Sequence, residues 1–423
     1  MKTLDLRELS GSNAATAIID DYNSAEVGAS IQFQLRDYDA SMRIGLLEGG
    51  IRPRAMKQME DKSYMLTVQR ELCPVQGSIT GLHHVLSDNH SVWTAERSTR
   101  VARVDADTDD IMATTSSMRR ASHIGYDHRY RRLLVADSGG DRVAAFDAET
   151  LQPIQDWNAP GHPQIPVANK DGVVCVTGSR DLKGTLTIAT PRDGRYTVRT
   201  VEVGAYPHDP LFDAAQKCVF VSCLGSNEIV KVRLADARVV SRYVVGEGPA
   251  HMVMNRSGQY LYCANSWDGS VTRIDLAGNE FKTVPSGGWA HDLAMTPDGQ
   301  LLFVANFLDD TISVFDANLN RLATMDTDPY PHGINMSLDG KFLVTTGFSS
   351  GHVRIFDAKS HHEIARVEVG MGGSHTAFAQ RADRALAYVA CSVSDHLAVV
   401  DLAAGECIDH IRLDSLKRPQ STH

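Results

Sequence analysis

Histidine recurs in this chain at nearly constant intervals. His83 and His84 stand side by side in GLHHVLSDNH, and His123, His162, His208, His251, His291, His332 and His375 follow at steps of 39, 39, 46, 43, 40, 41 and 43 residues counted from His84. With 17 histidines among 423 residues, independent placement would rarely fill even one such slot, so the spacing demands a structural cause. Neutral imidazoles converging on one place would leave half of their ring nitrogens without partners, and several charged ones would repel each other. A transition metal resolves both difficulties, because imidazole suits Cu, Zn, Fe and Ni and needs no carboxylate beside it. The candidate metal ligands are His83, His84, His123, His208, His251, His291, His332 and His375. His162 is set apart, since GHPQIP shifts it within its unit and puts Pro163 at the corresponding position. No catalytic acid or base stands out. Asp209 and Asp292, each directly after one of these histidines, are candidates for orienting imidazoles or taking protons, against the plainer expectation that they bond to backbone.

What must position these residues is a repeated unit of about 40 residues. RVAAFDAET, VTRIDLAGN, TISVFDANL, VRIFDAKS and AVVDLAAG are alternating strands that each end in Asp and a turn. Before them come fully apolar runs such as RLLVAD, CVFVSC, YLYCAN, LLFVAN and LAYVAC, and before those the short histidine-bearing strands. Four strands per unit with tight hairpin turns predict β-propeller blades, and a closed ring of blades leaves only short, protected sheet edges. Units begin near Leu82, Ser122, Gly161, Pro207, Ala250, Ala290, Pro331 and Ser374. The expected fold is therefore mainly β: an eight-bladed propeller over residues 75–423, seven-bladed if the third unit is irregular, preceded by a small α/β sandwich domain over 1–74. The first strand of each blade lines the central channel and alternates its side chains into it, so one histidine per unit predicts a ring at one mouth. Two adjacent residues reach one cluster only where the backbone is bulged, which is expected at His83 and His84. SYMLTVQRE is a candidate closing strand.

Composition narrows the partners. Lys and Arg total 42 against 52 Asp and Glu, a net charge of −10, which disfavours nucleic acid. No apolar stretch approaches the roughly 20 residues of a membrane span, and no leader pattern is visible, so no membrane contact and a cytoplasmic location are expected. Seven cysteines lie scattered without CxxC spacing, mostly in apolar runs, and read as buried thiols.

The run pattern over residues 78–413 resembles the YVTN family of bacterial propellers. The histidine-bearing strands, HHVLSDNH followed by TRVARVDAD, PHGINMSLDGKFLV, SHTAFAQRADRALAYV and the PHD at 207–209, resemble those of the nitrous oxide reductase propeller, with a comparable site in the copper-dependent thiocyanate dehydrogenases. That resemblance implies His83, His84, His123, His332 and His375 as the foremost ligands and His208, His251 and His291 as the next. It also implies copper as cofactor, in a multinuclear cluster, with the affinity order leaving iron and zinc as alternatives. The opening LDLREL resembles the small TusA-like α/β fold, but Cys73-Pro74 stands too late for a sulfur carrier's thiol, and a docking role for this domain is expected instead. The function so implied is a metal-dependent oxidoreductase acting on a small nitrogen- or sulfur-containing molecule. Its partners would be that small-molecule substrate and an external electron-donor protein, with a homo-oligomer left open. The alternatives are a non-catalytic copper-binding or assembly protein, an interaction scaffold, and a haem-binding propeller.

Overall fold

The computed structural model describes residues 2–9, 11–25, 29–36, 46, 55–59, 63–69, 81–180, 183–192 and 195–413; Cys73 and Pro74 lie outside them. The chain divides into two compact units, Met1–Ile79 and Thr80–His423. In the first, strands Lys2–Asp5 and Ser30–Leu35 pair in parallel on either side of helix Gly11–Ser24, and Tyr64–Gln69 and Ala55–Gln58 extend the sheet antiparallel. The helix buries Ala14, Ile18 and Tyr22, one residue per turn, against Ile31, Phe33 and Leu35, every second residue of the strand. Helix period and strand period thus meet on one apolar face. Among the described residues no helix is long and apolar enough to cross a membrane.

The second unit bears out the propeller. Its described residues form eight four-stranded antiparallel sheets, each a simple meander, spanning 82–115, 121–158, 166–202, 207–244, 249–285, 290–326, 331–368 and 373–411. We call these blades 1 to 8. The apolar second strands are buried on both faces, as in Tyr260–Asn265 and Leu301–Asn306, because each blade is covered by the next. The turn aspartates that end the third strands act as local caps. Asp147 accepts the backbone N–H groups of Glu149 and Thr150, and Asp357 those of Lys359 and Ser360, which is why Asp recurs there.

Closure differs from the expected exchange of a strand. Blade 8 is built wholly from residues 373–411 and blade 1 from 82–115, and Tyr64–Gln69 pairs inside the first unit. The seam is an apolar core in which Leu82, Val85, Val92 and Val104 of blade 1 pack on Leu386, Tyr388, Leu397 and Val399 of blade 8. Side chains lock it: the Tyr388 hydroxyl and Arg381 both reach Asp109 and the Ala106 carbonyl. Nearer the channel the buried Ser374 hydroxyl donates to the His83 carbonyl at 2.6 Å. The same device joins other blades, with Thr177 donating to the His208 carbonyl, Ser222 to Ala250, Ser266 to Ala290 and Thr346 to Ser374. Removing the Ser374 hydroxyl takes one of the two donors from the His83 carbonyl, which keeps the His375 ring N–H, so Ser374→Ala is expected to cost about 0.5–1.5 kcal/mol of stability. Denaturant unfolding of variant and wild type measures this, and an unchanged midpoint would contradict the role given to the seam.

Candidate metal centre

Each histidine owes its direction to one extra residue. In blade 1, Leu82 pairs with Glu96 and His84 with Ala95, so His83 is the inserted residue. In blades 4, 5, 6, 7 and 8 the inner strand takes three steps where its neighbour takes two, from Pro207 to Pro210, Pro249 to Met252, Ala290 to Leu293, Pro331 to Ile334 and Gly373 to Thr376. Blade 2 does the same between Ala121 and Ile124. A bulge breaks the alternation of faces and re-aims a side chain. It allows the neighbours His83 and His84 to face one cluster, and in blade 7 the place next to His332 must be Gly333, because the Ser374 carbonyl packs where a Cβ would sit.

The imidazoles so aimed form an almost continuous arc. Ring centroids lie 4.8 Å apart for His208 and His251, 5.4 Å for His251 and His291, 5.0 Å for His291 and His332, and 5.3 Å for His332 and His375. The arc continues through His84, 4.7 Å from His375 and 5.0 Å from His123. Blade 3 is the gap. Its inner strand, Pro166–Ala168, carries no histidine, and His162 is exposed with φ +53°, its Nδ1 3.1 Å from the Ser138 carbonyl.

Three members form a cluster able to hold an ion: one nitrogen each of His84, His123 and His375 lie within 4.8 Å of one another. The His375 Nδ1–H donates to the His83 carbonyl at 3.0 Å, which leaves its Nε2 lone pair for a ligand. His123 Nδ1 sits 3.0 Å from the Ser122 hydroxyl, and His84 Nδ1 is buried without a hydrogen-bond partner. A buried, unsatisfied ring nitrogen in a group of neutral imidazoles is what a missing cation would explain, so these residues fit a metal. His83 is engaged differently. Arg97 Nη2 lies 2.9 Å from its Nε2, and since arginine only donates, that nitrogen accepts. Arg97 is a contact of the ring that sequence reasoning passed over; its signal was its place just after a second strand, where Phe307 and Phe348 stand in their own blades.

Asp209 and Asp292 follow the plainer expectation. Asp209 accepts the Met252 N–H at 2.9 Å and Asp292 the Ile334 N–H at 3.1 Å, each stitching an inner strand to a later blade, and Asp209 stays 4.0 Å from His251 Nδ1. Burial raises the pKa of both above the usual carboxylate value. The described cysteines form no disulfide; Cys175, Cys223, Cys263 and Cys391 are buried and Cys218 and Cys407 partly so. His352, His396 and His410 lie on outer strands, and His90, His128, His361 and His362 in turns or strand ends.

A histidine-lined channel in a multi-bladed propeller is the class that this fold and site define. The chain belongs to the family described as Lactonase, 7-bladed beta-propeller, whose sequence pattern matches residues 87–362. That stretch stops before blade 8 and begins after the histidine pair, so His84 and His375 fall outside it, and the eight sheets exceed the seven of the family's description. Solved structures share the fold at low identity. Kuenenia stuttgartiensis hydrazine synthase is 18% identical with a TM-score of 0.57, covering 68% of this chain and 98% of that one. The dihydro-heme d1 dehydrogenase NirN is 16% identical at 0.59, covering 70% and 67%, and the Pseudomonas aeruginosa periplasmic gluconolactonase PpgL is 19% identical at 0.52, covering 70% and 97%. No curated protein matches the chain.

Two expectations are corrected here. The copper oxidoreductase reading is overturned by the family match, which is to lactonase-type propellers; what stands is a propeller with a buried three-histidine cluster able to hold one metal ion. The cytoplasmic reading is overturned too, because a periplasmic gluconolactonase has the same fold, and neither composition nor fold assigns this chain to the cytoplasm.

Burial is the first cause lowering the pKa of His83, His84, His123 and His375, with neighbouring imidazoles adding to it and the Arg97 charge adding at His83, His123 and His375. His375 falls to about 4 even though its bond to the His83 carbonyl opposes the shift. Unfolded histidines ionise near ~6.5, so in the window below that value the unfolded chain binds more protons and stability rises with pH. The metal-free protein is expected to lose stability as pH falls from roughly 6.5 towards about 4, and His375→Gln to lose less. Unfolding midpoints across that range decide it; identical slopes for the two proteins would contradict the assignment.

Proposed function

We propose that this propeller holds one first-row transition-metal ion at His84, His123 and His375 and hydrolyses a small ester of the lactone class at it. The observation that carries this is the cluster of three neutral, inward-facing nitrogens within 4.8 Å, a donor set that leaves coordination positions for water and substrate. An ion bound there supplies Lewis acidity, polarising an ester carbonyl and making coordinated water acidic near neutral pH. The chain's part is to keep the imidazoles neutral by burial, to fix the His375 tautomer through the His83 carbonyl, and to enclose the reacting groups in the channel. Membership of a lactonase family supports the substrate class, and hydrolysis needs no electron donor. All-imidazole ligation accepts ions from iron to zinc. His83, His208, His251, His291 and His332 complete the arc around this cluster and are proposed as its outer wall.

A metal carrier without turnover is the second reading. It is favoured by the position of His84 and His375 outside the lactonase pattern and by Asp209 and Asp292 being tied to backbone amides, which removes two carboxylates from service as a general base.

Elemental analysis with a visible spectrum, followed by pH-stat titration over a panel of lactones, separates the readings. One ion per chain with proton release is expected, and His84→Ala or His375→Ala should weaken metal affinity beyond the roughly 10- to 100-fold typical of losing an outer-shell partner. Metal without turnover selects the carrier, a Soret band a haem protein, and metal-free protein that cannot be loaded leaves an interaction scaffold.

A further inference from the structure

Blade 1 carries two histidines on its inner strand where blades 2, 4, 5, 6, 7 and 8 carry one each, and it differs from them at a second place. Leu82, at the start of that strand, pairs with Glu96, and the residue after this partner is Arg97. The equivalent place holds Ser138, Leu224, Ser266, Phe307, Phe348 and Ser392 in the other six. Among these seven blades a cation stands there only where there is a surplus imidazole. Its loop is tied down. The Arg97 N–H donates to the Gly81 carbonyl at 3.1 Å, and the buried Glu96 carboxylate accepts the Ser98 hydroxyl at 2.8 Å and forms an ion pair with Arg100 at 2.6 Å.

Distance does not keep His83 out of the metal cluster. Its ring centroid lies 4.9 Å from that of His375 and 5.3 Å from that of His123, nearer than those two lie to each other at 5.7 Å. Its nitrogens are nevertheless not among the three that come within 4.8 Å of one another. Proton placement excludes it. Arg97 Nη2, 2.9 Å from His83 Nε2, can only donate, so Nε2 gives its lone pair to the guanidinium and the proton of the neutral ring sits on Nδ1. Neither nitrogen then serves as a ligand, because a ligating imidazole nitrogen must carry no proton and have its lone pair to offer.

Three protein ligands leave a coordination position for water and substrate, whereas a fourth closes the tetrahedron as in structural sites. We propose that Arg97 is a positioning residue that holds the His83 ring off the metal and so keeps a coordination position open at the His84, His123 and His375 centre. This rests on the metal reading above and says what preserves the vacancy that the reading needs. The adjacent pair divides its roles accordingly. His84 ligates, while the His83 carbonyl accepts the Ser374 hydroxyl at 2.6 Å and the His375 ring N–H at 3.0 Å, so His83 sets the His375 tautomer through its main chain with its side chain turned to Arg97.

Cobalt(II)-loaded full-length protein tests this without reference to turnover. Azide occupies an open coordination position, so its effect on the visible d–d bands reports whether one exists, and competition with a chelator reports affinity. Wild type should respond to azide, and so should Arg97→Lys, which keeps a donor and the charge. Arg97→Met frees His83 Nε2 to become a fourth ligand; it should bind cobalt roughly tenfold or more tighter, since even an outer-shell partner is worth about that, and should lose the azide response. The double variant His83→Phe with Arg97→Met should regain it. The charge and every other contact of Arg97 are lost equally in the single and double variants, so the difference between them reports the His83 ring alone. His83→Phe by itself should keep wild-type cobalt stoichiometry and azide response, because the carbonyl stays in place. An Arg97→Met protein that answers azide as the double variant does, or a His83→Phe protein that loses its cobalt, overturns this inference and leaves the metal reading standing. Wild-type protein that takes up no cobalt overturns both.

Discussion

One inserted residue per inner strand is the constraint on which the site depends. A regular strand sends alternate side chains to opposite faces, so a histidine placed at random along it would as often enter the blade core as the channel. The bulges at His83, at His123, and at His208, His251, His291, His332 and His375 remove that ambiguity, and where a blade lacks a histidine on its inner strand, as in blade 3, the arc of imidazoles is open. A bulge also frees backbone groups. Side-chain hydroxyls of neighbouring blades take up several of the carbonyls so exposed, Thr177 at His208 and Ser374 at His83 among them, so the device that aims the imidazoles also couples neighbouring blades.

Closure and site are coupled at the seam. Blade 8 meets blade 1 without sharing a strand, and the apolar core there is finished by Tyr388, Arg381 and Asp109 at the outside and by Ser374 and His375 at the channel. The His83 carbonyl receives both the Ser374 hydroxyl and the His375 ring. The contact that closes the propeller is therefore also the one that selects which nitrogen His375 presents. Electrostatics follows from the same enclosure: burial lowers the pKa of the clustered imidazoles and raises that of the two ring aspartates.

Much of this was legible in the amino-acid order. The repeat, the four strands per unit, the eight blades and the placement of one histidine per unit all follow from period-two patterning and a spacing of about 40 residues, and the bulge at His83 and His84 follows from adjacency alone. Other features were not. The resemblance of the histidine-bearing strands pointed to a copper oxidoreductase, whereas the family found is the lactonase one, since one fold and a set of aligned imidazoles carry no particular reaction with them. Arg97 gave no motif, because its importance arises from standing across the seam from His375, nearly 280 residues later in the chain.

The sequence by itself determined the architecture and the ring, because both are periodic and each period is local. Only the tertiary structure decided which imidazoles converge, which one is held by an arginine instead, and which tautomer His375 adopts. Those outcomes depend on distances of a few ångströms between blades remote in the chain, and such distances are set by how the ring closes.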